Sequence, residues 1–162
     1  MEELMLLHVL ENSARTSTTD LADILNVSED EVLEKIDDLE KRKVICGYHT
    51  LINWDKTNHD SVMALIEVSA TPERDSGYDQ VAKQIYRYPE VSTCYLMSGR
   101  SEFIVIIKGR TMREVADFVG QKLAPIKGVT GTVTCFVLKE YKIEGVVMEE
   151  DEDRLERLVV TP

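Results

Sequence analysis

The 162-residue sequence predicts an α+β fold with a helical part followed by a β-α-β-β-α-β part. Up to residue 43, apolar side chains recur every three or four positions, which is typical of amphipathic helices. From residue 60 to about 141, apolar stretches with strand character are separated by two helical stretches. The composition, 43% apolar and 30% charged, is that of a globular chain able to bury a substantial core.

Charge divides the chain into three parts. Residues 1–56 carry a net charge of −7, residues 57–143 carry +1 and residues 144–162 carry −5, for a total of −11. These shifts predict one domain over 1–56, a second over 57–143 and an acidic tail over 144–162. The negative total by itself disfavours nucleic-acid binding, because lysine and arginine lead phosphate contacts.

The N-terminus, the apolar runs and the cysteines together predict the cellular compartment of the protein. The acidic start Met1-Glu2-Glu3 is unlike a secretory signal, and the longest strictly apolar run, Phe103–Ile107, is too short to span a bilayer. Three widely spaced cysteines, Cys46, Cys94 and Cys135, argue against a disulfide framework or a zinc site. We therefore expect a protein of the reducing cytoplasm, with no metal site and no membrane partner.

The N-terminal part begins with two predicted helices. Apolar spacing predicts the first over Glu3 to Asn12. Ser17 and Asp20 have capping-box spacing ahead of the second, which is about two turns long. Asn26 follows it and tolerates the left-handed backbone that a tight corner requires.

The third helix completes a predicted helix-turn-helix. Ser28 and Glu31 form a second capping box, and the helix continues to about Lys43. The strand-like residues 44–54 would then be the wing of a winged helix-turn-helix.

A helix-turn-helix of this kind is expected to bind DNA, with its last helix in the major groove. Base contacts are expected from Ser28, Asp30 and Lys35. Phosphate contacts are expected from Arg15, Lys41, Arg42 and Lys43. The same helix also carries seven acidic residues, so binding is expected to be weak per protomer and to need several copies. Short three-helix units also serve as packing or dimerisation modules, which is the alternative.

The second part predicts four strands and two helices. Strict alternation makes Val62–Ala70 a strand with one wholly apolar face. The remaining elements are expected to be a helix from Tyr78 closed by Pro89, strands Val91–Ser98 and Phe103–Gly109, a helix from Met112 to about Ala124 capped by Thr111, and a strand from Val129 to about Tyr141. The strand over 103–109 is apolar on both faces and is expected to be central. This order predicts an antiparallel ferredoxin-like sheet with both helices on one face.

The face of this sheet away from the helices is expected to be apolar and uncovered. Its side chains, or their alternates along each strand, are Met63, Leu65, Cys94, Leu96, Ile104, Ile106, Phe136 and Leu138. We expect a second copy related by twofold symmetry to cover it.

Three short motifs stand in a definite order: Leu21-Ala22 to Ser28, Leu39-Glu40 before Val44-Ile45-x-Gly47-Tyr48, and Ser98-Gly99-x-x-Glu102-Phe103. In this order and spacing, residues 1–143 resemble the Lrp/AsnC (feast/famine) family of bacterial and archaeal transcription regulators. The resemblance implies a winged helix-turn-helix followed by a RAM-type domain. It also implies dimers that often assemble into octamers, and an amino acid or related metabolite sensed at interfaces between dimers. No cofactor is implied.

The resemblance also implies an effector site. The family's glycine-and-acid hairpin matches Gly99 and Glu102, and its threonine pair matches Thr132 and Thr134. Glu102 would accept from the ammonium group of an amino acid, while the Gly99 backbone and the threonine hydroxyls would meet its carboxylate. Leu96 or Met97 would cover an apolar side chain. As structural residues, the glycine is explained by the turn and the threonines by strand propensity.

An enzyme is not predicted. The histidines His8, His49 and His59 are scattered, and no motif for metal-dependent hydrolysis, a serine nucleophile or a phosphate loop is present. The alternative function is an effector-sensing co-regulator that has lost DNA contact and assembles with other family members. Salt-dependent DNA binding separates the two.

The tail joins the acidic run Glu149–Asp153 to the apolar residues Leu155, Leu158, Val159 and Val160. Because a solvated tail does not need apolar residues, we expect residues 155–160 to dock on their own sheet or on a neighbouring protomer. A disordered end is the alternative.

Overall fold

The structure, a computed structural model, describes residues 3–72, 74 and 77–149. These residues form two compact units, one ending at Ile52 and the other beginning at Asn53. Each unit has its own core of buried apolar side chains. The expected boundaries after residues 56 and 143 stay predictions.

The first unit contains three helices, α1 (Glu3–Asn12), α2 (Thr18–Leu25) and α3 (Glu29–Lys41). Their apolar faces meet in one core, formed by Leu6, Leu10, Leu21, Ala22, Val32 and Leu39. The hydroxyls of Thr18 and Thr19 donate to Glu29 and join the first turns of α2 and α3. The helical spacing seen in the sequence is therefore confirmed.

Helices α2 and α3 both begin with the predicted caps, and the corner between them has the predicted turn residue. The Ser17 hydroxyl accepts from the backbone N–H of Asp20 at 3.1 Å. Asn26 ends α2 in the left-handed region with φ 52°. Ser28 and Glu31 form both halves of a capping box at the start of α3. These caps satisfy amide groups that the first turn of a helix leaves without a partner.

The end of α3 and the wing differ from the prediction. The helix stops at Lys41 because Lys43 adopts φ 60°, which lets the Val44 N–H donate back to the Leu39 carbonyl at 2.9 Å. The predicted strand over 44–54 is wrong: the described chain offers no partner strand to these residues, and Trp54–Lys56 forms a turn of 3-10 helix. A strand requires backbone pairing, and strand-like residues alone do not supply it.

The second unit is the predicted ferredoxin-like sheet with two helices. Its elements are β1 (Val62–Ala70), α4 (Asp79–Tyr86), β2 (Val91–Leu96), β3 (Phe103–Gly109), α5 (Met112–Phe118) and β4 (Val129–Phe136). The strands are antiparallel in the order β2-β3-β1-β4, so β3 is central, as predicted. Buried side chains of α4 and α5 share one core with β1 and β3, which places both helices on one face.

Several element ends differ from the expected ones. β2 ends at Leu96 and not at Ser98, and β4 ends at Phe136 and not near Tyr141. β4 cannot continue further because its neighbour β1 begins at Val62. The last hydrogen bond between the two strands runs from the Val137 N–H to the Met63 carbonyl at 2.9 Å. α5 starts at the predicted Thr111 cap and continues as a π-helical turn, Val119–Leu123.

A small hairpin follows the sheet. Its strands are β5 (Lys142–Ile143) and β6 (Val146–Val147). Glu144 and Gly145 turn the chain with φ 46° and 85°. Two consecutive positive φ angles are typical of a tight hairpin turn, for which glycine in the second position is well suited.

The open face, the side of the sheet away from α4 and α5, carries part of the predicted set. Met63, Leu65, Ile104 and Ile106 lie there, half-buried. Cys94, Leu96 and Phe136 do not, because they pair with Val105, Phe103 and Ala64 on the helix side. Their alternates Thr93, Tyr95 and Cys135 face outward instead. Leu138 lies beyond the end of β4.

A register shift accounts for each strand on which the alternate residues face outward. The pairing of β2 with β3 shifts between Val91 and Thr93, and that of β1 with β4 shifts between Ser69 and Ala70. A β-bulge inserts one residue and exchanges the two faces of the strand beyond it.

Candidate DNA interface and effector site

The surface of α3 is dominated by acidic side chains. Seven are exposed: Glu29, Asp30, Glu31, Glu34, Asp37, Asp38 and Glu40. Those in the first turn are favourable next to the positive end of the helix dipole. Those in the middle of the helix lower the electrostatic potential of the surface that would meet DNA.

Two of the predicted DNA contacts are engaged with α1. The Lys35 ammonium lies 2.7 Å from Glu3 Oε2, and the Arg42 guanidinium donates to the same oxygen at 2.8 Å. Arg42 Nε also lies 3.0 Å from Asp38. The hydrogen bonds from Lys35 and then Arg42 hold the pKa of Glu3 below its usual value. Both cations are therefore already neutralised within the unit.

Of the other three predicted phosphate contacts, one is held in an ion pair and two are not. The Lys41 ammonium lies 2.5 Å from Asp37, one helical turn earlier, and this bond raises the pKa of Lys41. Arg15 and Lys43 are exposed and have no ion pair within residues 3–72, 74 and 77–149. They are the predicted phosphate contacts that approach DNA without first releasing an acid.

The predicted base contacts Ser28 and Asp30 lie in the first turn of α3. The Ser28 hydroxyl donates to Glu31 Oε2 and accepts from the Glu31 N–H, so it is occupied by the cap. These bonds, led by that of the Ser28 N–H, lower the pKa of Glu31. Asp30 is exposed beside it. A base contact from Ser28 would compete with the cap.

The predicted effector residues at the β2–β3 hairpin lie together. The Met97 N–H donates to the Glu102 carbonyl at 2.8 Å and closes the hairpin. Leu96, Met97 and Gly99 are exposed around it. The side chain of Glu102 is partly buried, and its Oε2 accepts from the Ala70 N–H at 2.8 Å. The Glu102 carboxylate therefore anchors the end of β1, and this role is separate from any contact with an effector.

The threonine pair lies at the other edge of the sheet. Thr132 and Thr134 pair with Val68 and Ile66, which places them half-buried on the helix side of β4. Because β3 and β1 lie between β2 and β4, the edges are about 14 Å apart at the usual strand spacing. The described residues of one protomer do not gather the hairpin and the threonines into one pocket.

Sequence reasoning missed Glu67, which holds Arg100 above the open face. The Arg100 guanidinium donates to Glu67 Oε2 at 2.7 Å and the Ser101 hydroxyl donates to it at 3.1 Å. These bonds, Arg100 first, lower the pKa of Glu67. Glu67 follows Met63 and Leu65 at strand spacing, so a charge within an otherwise apolar strand face is the signal that could have found it.

Within the part of the chain that the structure describes, histidine, cysteine and acidic side chains form no group of three suited to a metal ion. Over the same residues, no helix has the length and apolar character needed to cross a bilayer.

The second unit matches a known protein family. Residues 63–147, more than half of the chain, match the Lrp/AsnC ligand binding domain. The structure is similar to that of a Neisseria meningitidis transcriptional regulator in complex with L-Met, with TM-score 0.68 and 24% identity, covering 89% of this chain and 93% of that chain. It is also similar to Escherichia coli AsnC, with TM-score 0.65 and 18% identity, covering 89% and 95%. These structures establish the shared fold.

Sequence relatives extend the match to the first unit. YugG of Bacillus subtilis, named as an uncharacterized HTH-type transcriptional regulator, is 41% identical over 162 residues, which cover 99% of this chain and 97% of YugG. The HTH-type transcriptional regulator LrpA of Pyrococcus abyssi is 30% identical over 85% of this chain and 95% of LrpA. These relatives are named as regulators and not as enzymes. The chain belongs to the Lrp/AsnC family and is a transcriptional regulator of the helix-turn-helix type.

Proposed function

We propose that this regulator binds double-stranded DNA through α2 and α3 and that an amino acid or related small metabolite controls it through the second unit. The observation that carries the DNA-binding proposal is the helix-turn-helix corner, in which Asn26 turns the chain between two capped helices. The relative YugG, which matches almost the whole length of this chain, is named as an HTH-type transcriptional regulator.

The charges of the first unit decide how it binds. Arg15 and Lys43 contact phosphates directly, while Lys41 and Arg42 must first exchange an acid for a phosphate, and Lys35 must leave Glu3 to reach a base. Ser28, Asp30 and Lys35 face the base edges. Each head therefore binds weakly, and two or more heads on one DNA stretch supply the affinity by multivalency.

Selection from a random duplex library, followed by titration of the enriched sequence, tests the DNA-binding proposal. Arg15→Ala with Lys43→Ala should weaken binding and reduce the slope of log affinity against log salt by about two for each bound head, because each head loses two phosphate contacts. The matched control is Arg113→Ala, an exposed arginine on α5. Enrichment of no sequence, or equal effects of both changes, would contradict the proposal.

The effector proposal uses the hairpin and the threonine pair. The unit matches a ligand binding domain, and a structural relative has been crystallised with L-Met. Glu102 accepts from the ammonium group, Gly99 and the hydroxyls of Thr132 and Thr134 meet the carboxylate, and Leu96 or Met97 covers the side chain. Because the hairpin and the threonines lie at opposite edges of the sheet, the hairpin of one protomer and the threonines of another complete the site.

Assembly follows from the open face. Its half-buried side chains Met63, Leu65, Ile104 and Ile106 form an apolar surface that supports a homodimer through the sheets, from which a higher oligomer such as an octamer is built. We place this assembly in the cytoplasm, where DNA and amino acids are both available.

Calorimetric titration with each of the common amino acids, run beside sedimentation velocity, tests the effector and the assembly together. Glu102→Gln should abolish effector binding and leave the fold intact, since the amide oxygen can still accept from Ala70. Glu140→Gln is the matched control. Binding that survives Glu102→Gln would contradict the assignment of Glu102.

A second function is favoured by the ion pairs of α3. Lys35, Lys41 and Arg42 are all held by acids, so the first unit would instead serve as a partner for other regulators of the family. A protein that binds no DNA at low salt but changes the DNA affinity of a related regulator would establish this co-regulator function.

A further inference from the structure

A cavity of about 430 Å³ lies at the end of the sheet where β1 begins and β3 ends. It is far from the β2–β3 hairpin, because Val62 at the start of β1 pairs with Gly109 at the end of β3. Its walls combine apolar side chains with charges of both signs, the cations Lys108, Arg110 and Lys139 and the acids Asp55, Glu114 and Glu140. None of the proposed effector residues lines it.

The chain reaches this cavity just before residue 150. The Met148 carbonyl accepts from Asn53 Nδ2 at 2.7 Å, next to Trp54 on one side of the cavity. The Glu149 carboxylate pairs with the Lys139 ammonium, which also lines the cavity, and this bond raises the pKa of Lys139. Both contacts fix the starting point of residues 150–162 at the cavity wall.

The cavity has apolar surface without a cover. Leu138 is 91% exposed and Trp54 is 37% exposed, although both line a concave site. Removing such apolar side chains from water is favourable, so a cover for them would stabilise the fold. Residues 150–162, in which the sequence predicted a docking segment, lie outside the described residues, and they contain Leu155, Leu158, Val159 and Val160.

Two cations of the cavity wall are available to acidic side chains. Within residues 3–72, 74 and 77–149, the side chains of Lys108 and Arg110 have no ion pair, and both line the cavity. The four residues after Glu149 are Glu150, Asp151, Glu152 and Asp153. Lys108 and Arg110 can pair with this acidic run, whereas the acids Asp55, Glu114 and Glu140 of the same wall reduce the net attraction, so the contact depends on apolar burial as well.

We propose that residues 150–162 of the same chain dock in this cavity, with the acidic run at Lys108 and Arg110 and the following leucines over Leu138 and Trp54. Thirteen residues reach at most about 45 Å when extended, so the cavity is well within range. Docking within one chain also has an effective concentration of about millimolar, which compensates for a short contact.

Trp54 makes the proposal directly measurable, because it is the single tryptophan of the chain. In a variant that ends at Glu149, Trp54 emission should shift to longer wavelength and its quenching by acrylamide should increase. A synthetic peptide of residues 150–162 should reverse both changes saturably. A peptide of the same composition in scrambled order is the control and should not.

Point variants of the full chain test the same contact without truncation. Lys108→Gln with Arg110→Gln should raise Trp54 quenching in low salt, and Leu155→Ser with Leu158→Ser should raise it at any salt concentration. Arg113→Gln, outside the cavity, should leave it unchanged. Circular dichroism checks that each variant is folded, and the peptide titration remains decisive for any variant that is not.

Two results would overturn the proposal. The first is unchanged Trp54 quenching in the folded truncated chain, together with no saturable effect of the peptide. The second is protection of Trp54 when the truncated chain is mixed with full-length Trp54→Phe protein, since the segment would then bind a second copy and not its own chain.

Discussion

The guanidinium of Arg42 donates to the carboxylate of Glu3 at 2.8 Å, joining the end of α3 to the first turn of α1. Lys35 reaches the same carboxylate from one side of α3. One acidic residue of α1 thus holds two cations of the proposed DNA interface, and the proposed DNA binding requires that Glu3 release them.

Glu3→Gln should strengthen DNA binding. The change releases Arg42 to a phosphate and Lys35 to the base edges and removes one negative charge, so the salt dependence of affinity should become steeper by about one phosphate contact per bound head. Fluorescence anisotropy at several salt concentrations measures this. Glu11→Gln makes the same change of charge on α1 at an exposed residue. Equal effects of the two substitutions would show that only net charge matters.

Ser28→Ala should destabilise the first unit by about 1 kcal/mol, because it removes the capping box of α3. Urea unfolding followed by circular dichroism at the helix band measures the loss. Ser13→Ala is the matched change at an exposed serine between helices. A Ser28→Ala variant as stable as Ser13→Ala would mean that the cap contributes nothing.

Gly128→Ala should destabilise the second unit by about 1 kcal/mol or more. Gly128 has φ 96°, and a Cβ there would lie 3.0 Å from Cγ2 of the buried Val81. Gly120→Ala is the comparison, since nothing lies within 4 Å of its added carbon, and it should stabilise the helix by about 0.5–1 kcal/mol. Thermal unfolding that ranks the two variants in the reverse order would contradict this account of the turn.

Glu67→Gln should reduce stability at neutral pH and much less in acid. Because Arg100 and Ser101 lower the pKa of Glu67 from its usual 4.5, the carboxylate stabilises the fold above that pH, and the benefit is lost as pH falls through the lower folded value. The difference between the urea midpoints of wild type and variant, measured at about pH 7, 5 and 3.5, should therefore become smaller as the pH falls. Asp117→Asn is the control. A gap that stays constant with pH would refute the ion pair as its cause.

Local features of the fold could be predicted from the sequence. The caps at Ser17 and Ser28 join residues three positions apart, so their chemistry is visible in the order of residues. The alternation of β1 and the left-handed Asn26 are equally local. The central position of β3 followed from a strand that is apolar on both faces.

Features that depend on distant partners could not be predicted. The choice between Cys94 or Phe136 and its alternate could not be made from the sequence, because register shifts near Thr93 and Ala70 exchange the sides of β2 and β4. Arg42 is 39 residues from Glu3, and no pattern in the sequence links them. The strand expected over 44–54 failed for the same reason, since its partner had to come from elsewhere.

The candidate site shows the same division. The hairpin position of Gly99 and Glu102 follows from adjacent strands, whereas the use of Glu102 by the Ala70 N–H and the placing of Thr132 at the opposite edge depend on sheet order. The match of hairpin and threonines to one effector therefore stays a prediction.

The most direct test of the account is a titration of the folded, full-length protein against duplex DNA from upstream of its own gene, across a salt series, with and without each amino acid. The account predicts saturable, sequence-selective binding that weakens steeply with salt and shifts with one amino acid, because an effector that prefers one assembly changes how many heads meet the DNA. Absence of binding even at low salt, in protein that is folded and oligomeric, would contradict it and favour the co-regulator.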